Sequence, residues 1–273
     1  MTPTTWTMLE HPGWELGPAP ARALRTPTGT WLIHTRPAYT ATLITGTGPA
    51  PHRDVHDPAA LDALALPAGL HAALRRLGRI QRLRTADLWE ALATAIIRQV
   101  IRAGQARTMH HALRTAAGQR AGTCALMPTP EQVLALSDAA FAALGMAFKR
   151  RPLRAAAEAY LLHRDEWAEL PADVLVKALQ AVPRIGPWTA GAAVADHTGD
   201  FSLYPHADLA VRTWAAKADP ATAWPADEGA FAALWRALAG PHLSTLTVLT
   251  LAWGDHHAHH RPDPADQGST AHH

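Results

Sequence analysis

The sequence predicts a mainly α protein with a small antiparallel sheet near its N-terminus. Two textures and one interruption carry that reading. From residue 68 onward, apolar residues recur at three- and four-residue spacing, the period of helices that bury one face. Residues 1–70 are instead rich in Pro, Thr and Gly. They hold two alternating runs, "GTWLIHT" (29–35) and "AYTATLITG" (38–46), which read as the strands of a hairpin. The interruption is "AVPRIGPWTA" (181–190), where two prolines and a glycine separate two helical stretches. One helix cannot run through both prolines, so the segment is a stop, a tight turn and a restart.

In chain order, "PAPHRDVHDPAA" is a loop between the strands and the first helix. Helices are expected at about 68–79, 86–101, 104–117, 130–137, 149–163, 171–181, 187–196, 207–218, 227–239 and 243–254. "TPEQ" (129–132) sets a Thr cap, a first-turn Pro and an acid, and "PADEGAF" opens its helix in a similar way. The tail "GDHHAHHRPDPADQGSTAHH" is polar and Pro-containing, and reads as disordered. The organisation expected is a small α+β region over 1–85, a helical domain over 86–258 and a tail over 259–273.

With 273 residues, 48% of them hydrophobic, the chain is long enough for a substantial core. No apolar run is long enough to span a membrane. The start lacks a signal-peptide pattern, and the single cysteine, Cys124, excludes a disulfide framework within the chain. A cytoplasmic monomer is expected. The net charge of +2 conceals an uneven distribution. Between positions 75 and 120 stand arginines 75, 76, 79, 82, 84, 98, 102, 107, 114 and 120, against only Asp87 and Glu90; "KRRPLR" follows at 149–154. Such a stretch suits a polyanionic partner or, equally, a set of solvated helix faces.

Pro187 suits the first turn of a helix, where its missing N–H costs nothing. Gly186 removes a side chain where the unpaired amides of a helix start point outward. Those amides, with the helix dipole behind them, attract a phosphate oxygen. The turn is therefore either an ordinary connection or a sequence-independent grip on a nucleic-acid backbone. Twenty residues after Trp188, "SLYPHADLAVRTWA" places Asp208 at the start of an amphipathic helix. The dipole favours a carboxylate there, as a helix cap or as a reactive group.

Taken together, these segments resemble the helix–hairpin–helix DNA glycosylases over about residues 86–255, most closely the bacterial 3-methyladenine DNA glycosylase II branch. Besides the hairpin and the "YPHADLAV" segment, "LWEALATAIIRQVIRAGQA" (88–106) looks like that family's helix and DNA-facing loop. "FAALGMAFKRRPLRAAA" (141–157) looks like its "LGM…KR" segment.

The resemblance implies removal of a damaged, alkylated base from double-stranded DNA by hydrolysis of its N-glycosidic bond. Cleavage builds positive charge on the sugar, and Asp208 is the carboxylate placed to stabilise it. The base must leave the stack. Gln99 and Val100 match the loop that enters the duplex, although Val100 could equally be core. The base pocket is assigned to Trp188, Ala192, Leu209, His242 and Arg98. Trp188 offers a ring face for an electron-poor base, or is core. Backbone contacts are assigned to Pro183, Arg184, Ile185, Gly186, Thr189, Arg102, Lys149 and Arg150. Family members that also cleave the strand carry a lysine where Trp188 stands, so a monofunctional enzyme without lyase activity is implied.

Arg184 occupies a glycine position of the family's hairpin, where unusual backbone angles are expected. No cofactor is required; the family's hairpin often holds an alkali ion through main-chain carbonyls, here those of Val182 and Ile185. No metal-ligand set is assigned. Asp196 and Asp200 read as solvated surface acids, and the histidines 256, 257, 259 and 260 as a passive tail. Two other readings stay open: a non-catalytic DNA-binding module with the same hairpin, and a metal-dependent hydrolase built on the Asp and His residues.

Overall fold

A computed structural model describes residues 5–259, with backbone only for residues 258 and 259. The strands are β1 (Trp6–Thr7), β2 (Ala21–Arg25), β3 (Gly29–His34), β4 (Thr40–Gly46) and β5 (Arg53–His56). Helix α1 (Ala68–Leu77) and strand β6 (Ile80–Leu83) follow, then α2 (Leu88–Arg98), α3 (Ala103–Ala117) and the short strands β7 (Arg120–Ala121) and β8 (Cys124–Ala125). The remainder is helical: α4 (Pro130–Ala135), α5 (Asp138–Ala143), α6 (Arg150–Ala168), α7 (Ala172–Gln180), α8 (Pro187–Thr198), α9 (Leu209–Ala218), α10 (Glu228–Ala239) and α11 (Leu243–His259).

The expected hairpin is β3–β4, antiparallel with a register shift at Thr30/Trp31. It gains β2 on its other side, which alternation alone did not mark because Ala21–Leu24 is buried throughout. A second sheet has the order β1-β6-β5, its β1–β6 pairing parallel. Helix α5, also unexpected, opens with a Ser137 cap on the Ala140 amide. The Thr129 cap forms a full capping box with Gln132, and Asp227 caps the Ala230 amide.

Helix α2 is the central helix: every side chain from Leu88 to Ile97 is buried. It packs along α8, whose buried run from Thr189 to Asp196 is mostly Ala, Gly and Val. Small side chains let the two backbones approach. A Cβ on Gly191 would sit 2.6 Å from the Leu203 carbonyl oxygen, so α8 also lies directly against the loop leading to Asp208. The main core runs across residue 85 without a break: Met8, Leu61, Leu70, Leu74 and Ile80 join it alongside the helical residues.

A buried polar seam stitches the N-terminal strands to the helices. Arg22 donates to Glu90 Oε1 and Thr85 Oγ1, each at 2.9 Å. Arg114 donates to the Gly13 carbonyl at 2.8 Å, and Arg107 to the Leu9 and Trp14 carbonyls at 2.9 Å. Asp196 belongs to this seam rather than to the surface: it is 3% exposed and bonded to Arg82. The cause is that the end of α8 lies against the segment after β6, where the Thr85 amide donates to the Asp196 carbonyl, so its one acid there must find a cation inside. Asp200 is exposed as expected and accepts the Ser202 amide. The arginine-rich stretch is likewise no cationic face. Arg75 pairs with Asp62, Arg79 with Asp57, Arg82 with Glu10 and Asp196, Arg84 with Asp54, and Arg114 with Glu15.

Candidate active site and nucleic-acid interface

Helices α7 and α8 form the predicted hairpin. Leu179 and Val182 carbonyls accept the Val182 and Ile185 amides at 3.1 Å each, closing the turn, and Val182 and Ile185 anchor it in the core. Pro183, Arg184 and Gly186 are exposed. Gly186 is the N-cap of α8 with no side-chain cap, and a Cβ there would meet open space. Among the described residues the amides of Gly186, Trp188 and Thr189 have no backbone acceptor. Three free amides at an uncapped helix start form an anion-binding surface.

Arg184 has φ of 71°, the left-handed region expected of a glycine position. Val100 has φ of 57°. These are the two non-glycine residues with positive φ among the described residues, and for a β-branched residue this is a costly conformation, on the order of 1–3 kcal/mol. Such strain persists where surrounding contacts over-determine it. Here Gln99, between α2 and Val100, donates from Nε2 to Thr189 Oγ1 at 2.5 Å and to the Arg184 carbonyl at 3.3 Å. The two strained turns are thus bolted together by one side chain.

Val100 is fully exposed, at 103%, which removes the core reading. Lys149 holds its turn from behind, donating from Nζ to the Ile96 and Gln99 carbonyls at 2.8 and 2.7 Å. This corrects the expected backbone-contact role: Lys149 is 3% exposed, and burial pulls its pKa down to about 8. The Thr189 side chain is corrected for the same reason; it is buried beneath the hairpin and occupied by Gln99, which leaves only its amide to the anion-binding turn. Arg150 is half-buried and, with Arg154, pairs with Asp138. Arg102 is exposed at the N-cap of α3. Phe148, which the sequence did not single out, is 56% exposed one residue before Lys149. Its signal was an aromatic between a glycine turn and a basic helix start.

Asp208 occupies the N-cap position of α9, yet its side chain makes no cap hydrogen bond. The cap reading therefore fails. Instead Oδ2 accepts the Tyr204 hydroxyl at 3.0 Å, while Oδ1 has no partner among the described residues. Tyr204 is buried, lies 5.6 Å from the Phe201 ring in a stack and meets Trp188 edge-on at 6.5 Å. Burial raises the Tyr204 pKa far above its usual value, so its hydroxyl stays a donor. Trp188 is half-buried, as is Arg98, while Leu209 is 67% exposed beside Asp208. Ala192 is a correction: at 3% exposure it is core, one turn inward from Trp188, and lines no open space. His242 is half-buried in a short 3-10 turn between α10 and α11.

The same elements in the same arrangement occur in solved structures. The 3-methyladenine DNA glycosylase of Archaeoglobus fulgidus is 16% identical, with a TM-score of 0.65 over 89% of each chain. The fold is that of the helix–hairpin–helix glycosylases. An 8-oxoguanine glycosylase/lyase of Clostridium acetobutylicum, bound to double-stranded DNA, matches with a TM-score of 0.63 at 13% identity, over 91% of this chain and 88% of that one. The 3-methyladenine DNA glycosylase of Schizosaccharomyces pombe, in complex with abasic DNA, gives 0.60 at 17% identity, over 71% of this chain and 94% of that one. Neither a protein-family model nor a curated protein matches the sequence. No described helix is long and apolar enough to cross a membrane. Among the described residues no three His, Cys, Asp or Glu side chains are placed to hold a metal; residues 260–273 of the histidine-rich tail lie outside them.

Proposed function

We propose that the chain is a monofunctional DNA glycosylase of base excision repair that hydrolyses the N-glycosidic bond of damaged, alkylated bases in duplex DNA. The observation that carries this reading is Asp208: a carboxylate at a helix start that caps nothing, with one oxygen held by a buried tyrosine and the other free. A fixed anion of that kind stabilises the positive charge that grows on the sugar as the base departs, and can orient the attacking water. The hairpin amides of Gly186, Trp188 and Thr189 bind a phosphate of the same strand. Val100, pushed out on its strained turn, fills the gap left by the extruded base, with the exposed Phe148 ring 5.2 Å from the Lys149 ammonium that braces that turn and Gln99 linking wedge to hairpin. Trp188 supplies the ring face for the base.

A Schiff-base route needs an amine near the sugar. The chain has three lysines. Lys149 is buried under the wedge turn, Lys177 lies on α7, and Lys217 sits over the Trp214 ring. An alkali ion at the hairpin belongs to the same reading. The Ile185 carbonyl accepts no hydrogen bond among the described residues, and the Val182 carbonyl accepts only the Ile185 amide, so both oxygens suit a hard cation.

The test is base release from alkylated duplex DNA in EDTA, with the freed bases resolved by chromatography. Wild type releases base, whereas Asp208→Asn loses on the order of 10³ in rate or more while binding the duplex as before. Release by the Asp208 variant at the wild-type rate would remove the catalytic assignment. Intact binding with no release from any damaged duplex would make the chain a binding module.

A further inference from the structure

Of the arginines between positions 75 and 120, three make no side-chain hydrogen bond or ion pair among the described residues: Arg76, Arg98 and Arg102. Arg76 and Arg102 are exposed, where water satisfies them. Arg98 is half-buried at the last turn of α2, beside the Gln99 bridge to the hairpin. Its charge is felt by Tyr204 on one side, where it opposes the effect of burial, and by the buried His11 on the other. Gln99, the next residue, reaches Thr189, and Trp188 beside Thr189 meets the Tyr204 ring, so an unpaired, half-buried guanidinium stands at the helix end tied to the Tyr204–Asp208 site. Withdrawing a cation from water without a partner is costly, so the arrangement is suited to a partner that arrives with the substrate.

The chemistry of the bond says what that partner is. When the C1′–N bond breaks, its electron pair stays on the base nitrogen. The sugar becomes positive and faces Asp208. Water oxygen then bonds to C1′, and the proton it loses ends on the base where the base left as an anion, or passes to solvent where the base left neutral. If the base starts uncharged, it leaves as an anion and needs positive charge beside it. If it starts as a cationic N-alkylpurine, it leaves neutral and needs none. For that second class a nearby guanidinium is a penalty, because it repels the positively charged base on entry. A cation beside the Asp208 site is thus useless or harmful for one substrate class and useful for the other.

Building on the glycosylase reading, we propose that Arg98 stabilises the negative charge on the departing base. It would do so by donating to a carbonyl oxygen or ring nitrogen of that base, and it thereby directs the enzyme to uncharged damaged bases with an acceptor edge. Among alkylated bases the neutral exocyclic adducts are of this class, and deaminated purines join them; cationic N3- and N7-alkylpurines are released more slowly. Asp208 and Arg98 form a charge pair aimed at opposite ends of the breaking bond. Preorganised donors of this kind act where charge develops.

The test compares single-turnover release of hypoxanthine and of 7-methylguanine from otherwise identical duplexes, by wild type, Arg98→Met, Arg98→Lys and Asp208→Asn. Thermal unfolding of each variant establishes that it is folded. Wild type favours hypoxanthine. Arg98→Met lowers the ratio of hypoxanthine to 7-methylguanine release by about 100-fold, and Arg98→Lys restores part of it. An unchanged ratio would overturn the proposal. So would an equal fall for both bases with a flatter salt dependence of binding, which would make Arg98 a phosphate contact. Release of both bases by Asp208→Asn at the wild-type rate, or of neither by wild type, would instead remove the glycosylase reading on which the proposal stands.

Discussion

Tyr204 makes a single hydrogen bond to Asp208, and it fixes one oxygen of a carboxylate that would otherwise swing between the α9 amides and solvent. Replacing it with Phe keeps the ring in its stack with Phe201 and removes only the hydroxyl. A hydrogen bond to a charged group contributes about 1.5–3 kcal/mol, so Tyr204→Phe is expected to slow base release by roughly 10- to 100-fold. Duplex affinity should not change. A fall in thermal stability with an unchanged single-turnover rate would make Tyr204 a packing residue only. Asp208 was legible in the sequence because a helix start and a hairpin at fixed distance frame it. Its tyrosine was not, because the bond closes across an irregular loop with no period to read. Residues on α8 show the converse limit. Thr189 and Ala192 stand at plausible positions along the chain, but burial against α2 and the 199–208 loop decides which of them can meet a ligand.

At the scale of elements, the wedge turn and the hairpin behave as one unit joined by Gln99 and braced by Lys149. The hairpin was legible because two prolines and a glycine leave few conformations. The wedge was half legible: its position came from resemblance, while its strained φ and its bracing by a lysine 50 residues away are tertiary facts. Arg184 allows the two roles of the hairpin to be separated. At φ of 71° a side chain costs about 1 kcal/mol that glycine does not, so Arg184→Gly should raise Tm by about 2–4 °C. It also removes an exposed cation from the phosphate-binding turn. Binding should therefore weaken uniformly across sequences, and the salt slope should fall by about one. Calorimetry and salt titrations on the same variant check both. Unchanged affinity with a higher Tm would leave the grip to backbone amides alone.

At the scale of the molecule, the seam between the N-terminal strands and the helices sets the pH at which the protein holds together. The linear excess of arginine misled as a surface feature because its partners are distant in sequence and meet it only on folding: Glu10, Glu15, Asp54, Asp57 and Asp62 come from the first 62 residues, and Asp196 from α8. The same seam buries His11 and His110 edge to face at 5.8 Å. Burial first, then neighbouring arginines, holds both pKa values well below the ordinary 6.5, and burial brings His56 down to about 4. Below pH 6.5 the unfolded chain takes up protons at these three sites that the folded chain refuses. Their contribution to stability is thus complete above 6.5 and is lost as pH falls, at up to about 1.4 kcal/mol per pH unit for each histidine. Asp87 acts in the opposite sense: burial lifts its pKa to about 6, so the folded chain binds its proton first and one histidine is offset. His197 and His206, also lowered by burial, add uptake of the same sign, so the net expectation is a fall in Tm between pH 7 and pH 5 corresponding to at least about two protons taken up on unfolding. His110→Leu, which also removes a buried Nδ1 lacking a partner among the described residues, should reduce that uptake by one. A Tm independent of pH across this range would show that the seam opens and charges without unfolding the core. A loss that His110→Leu does not soften would place the titrating groups outside the seam.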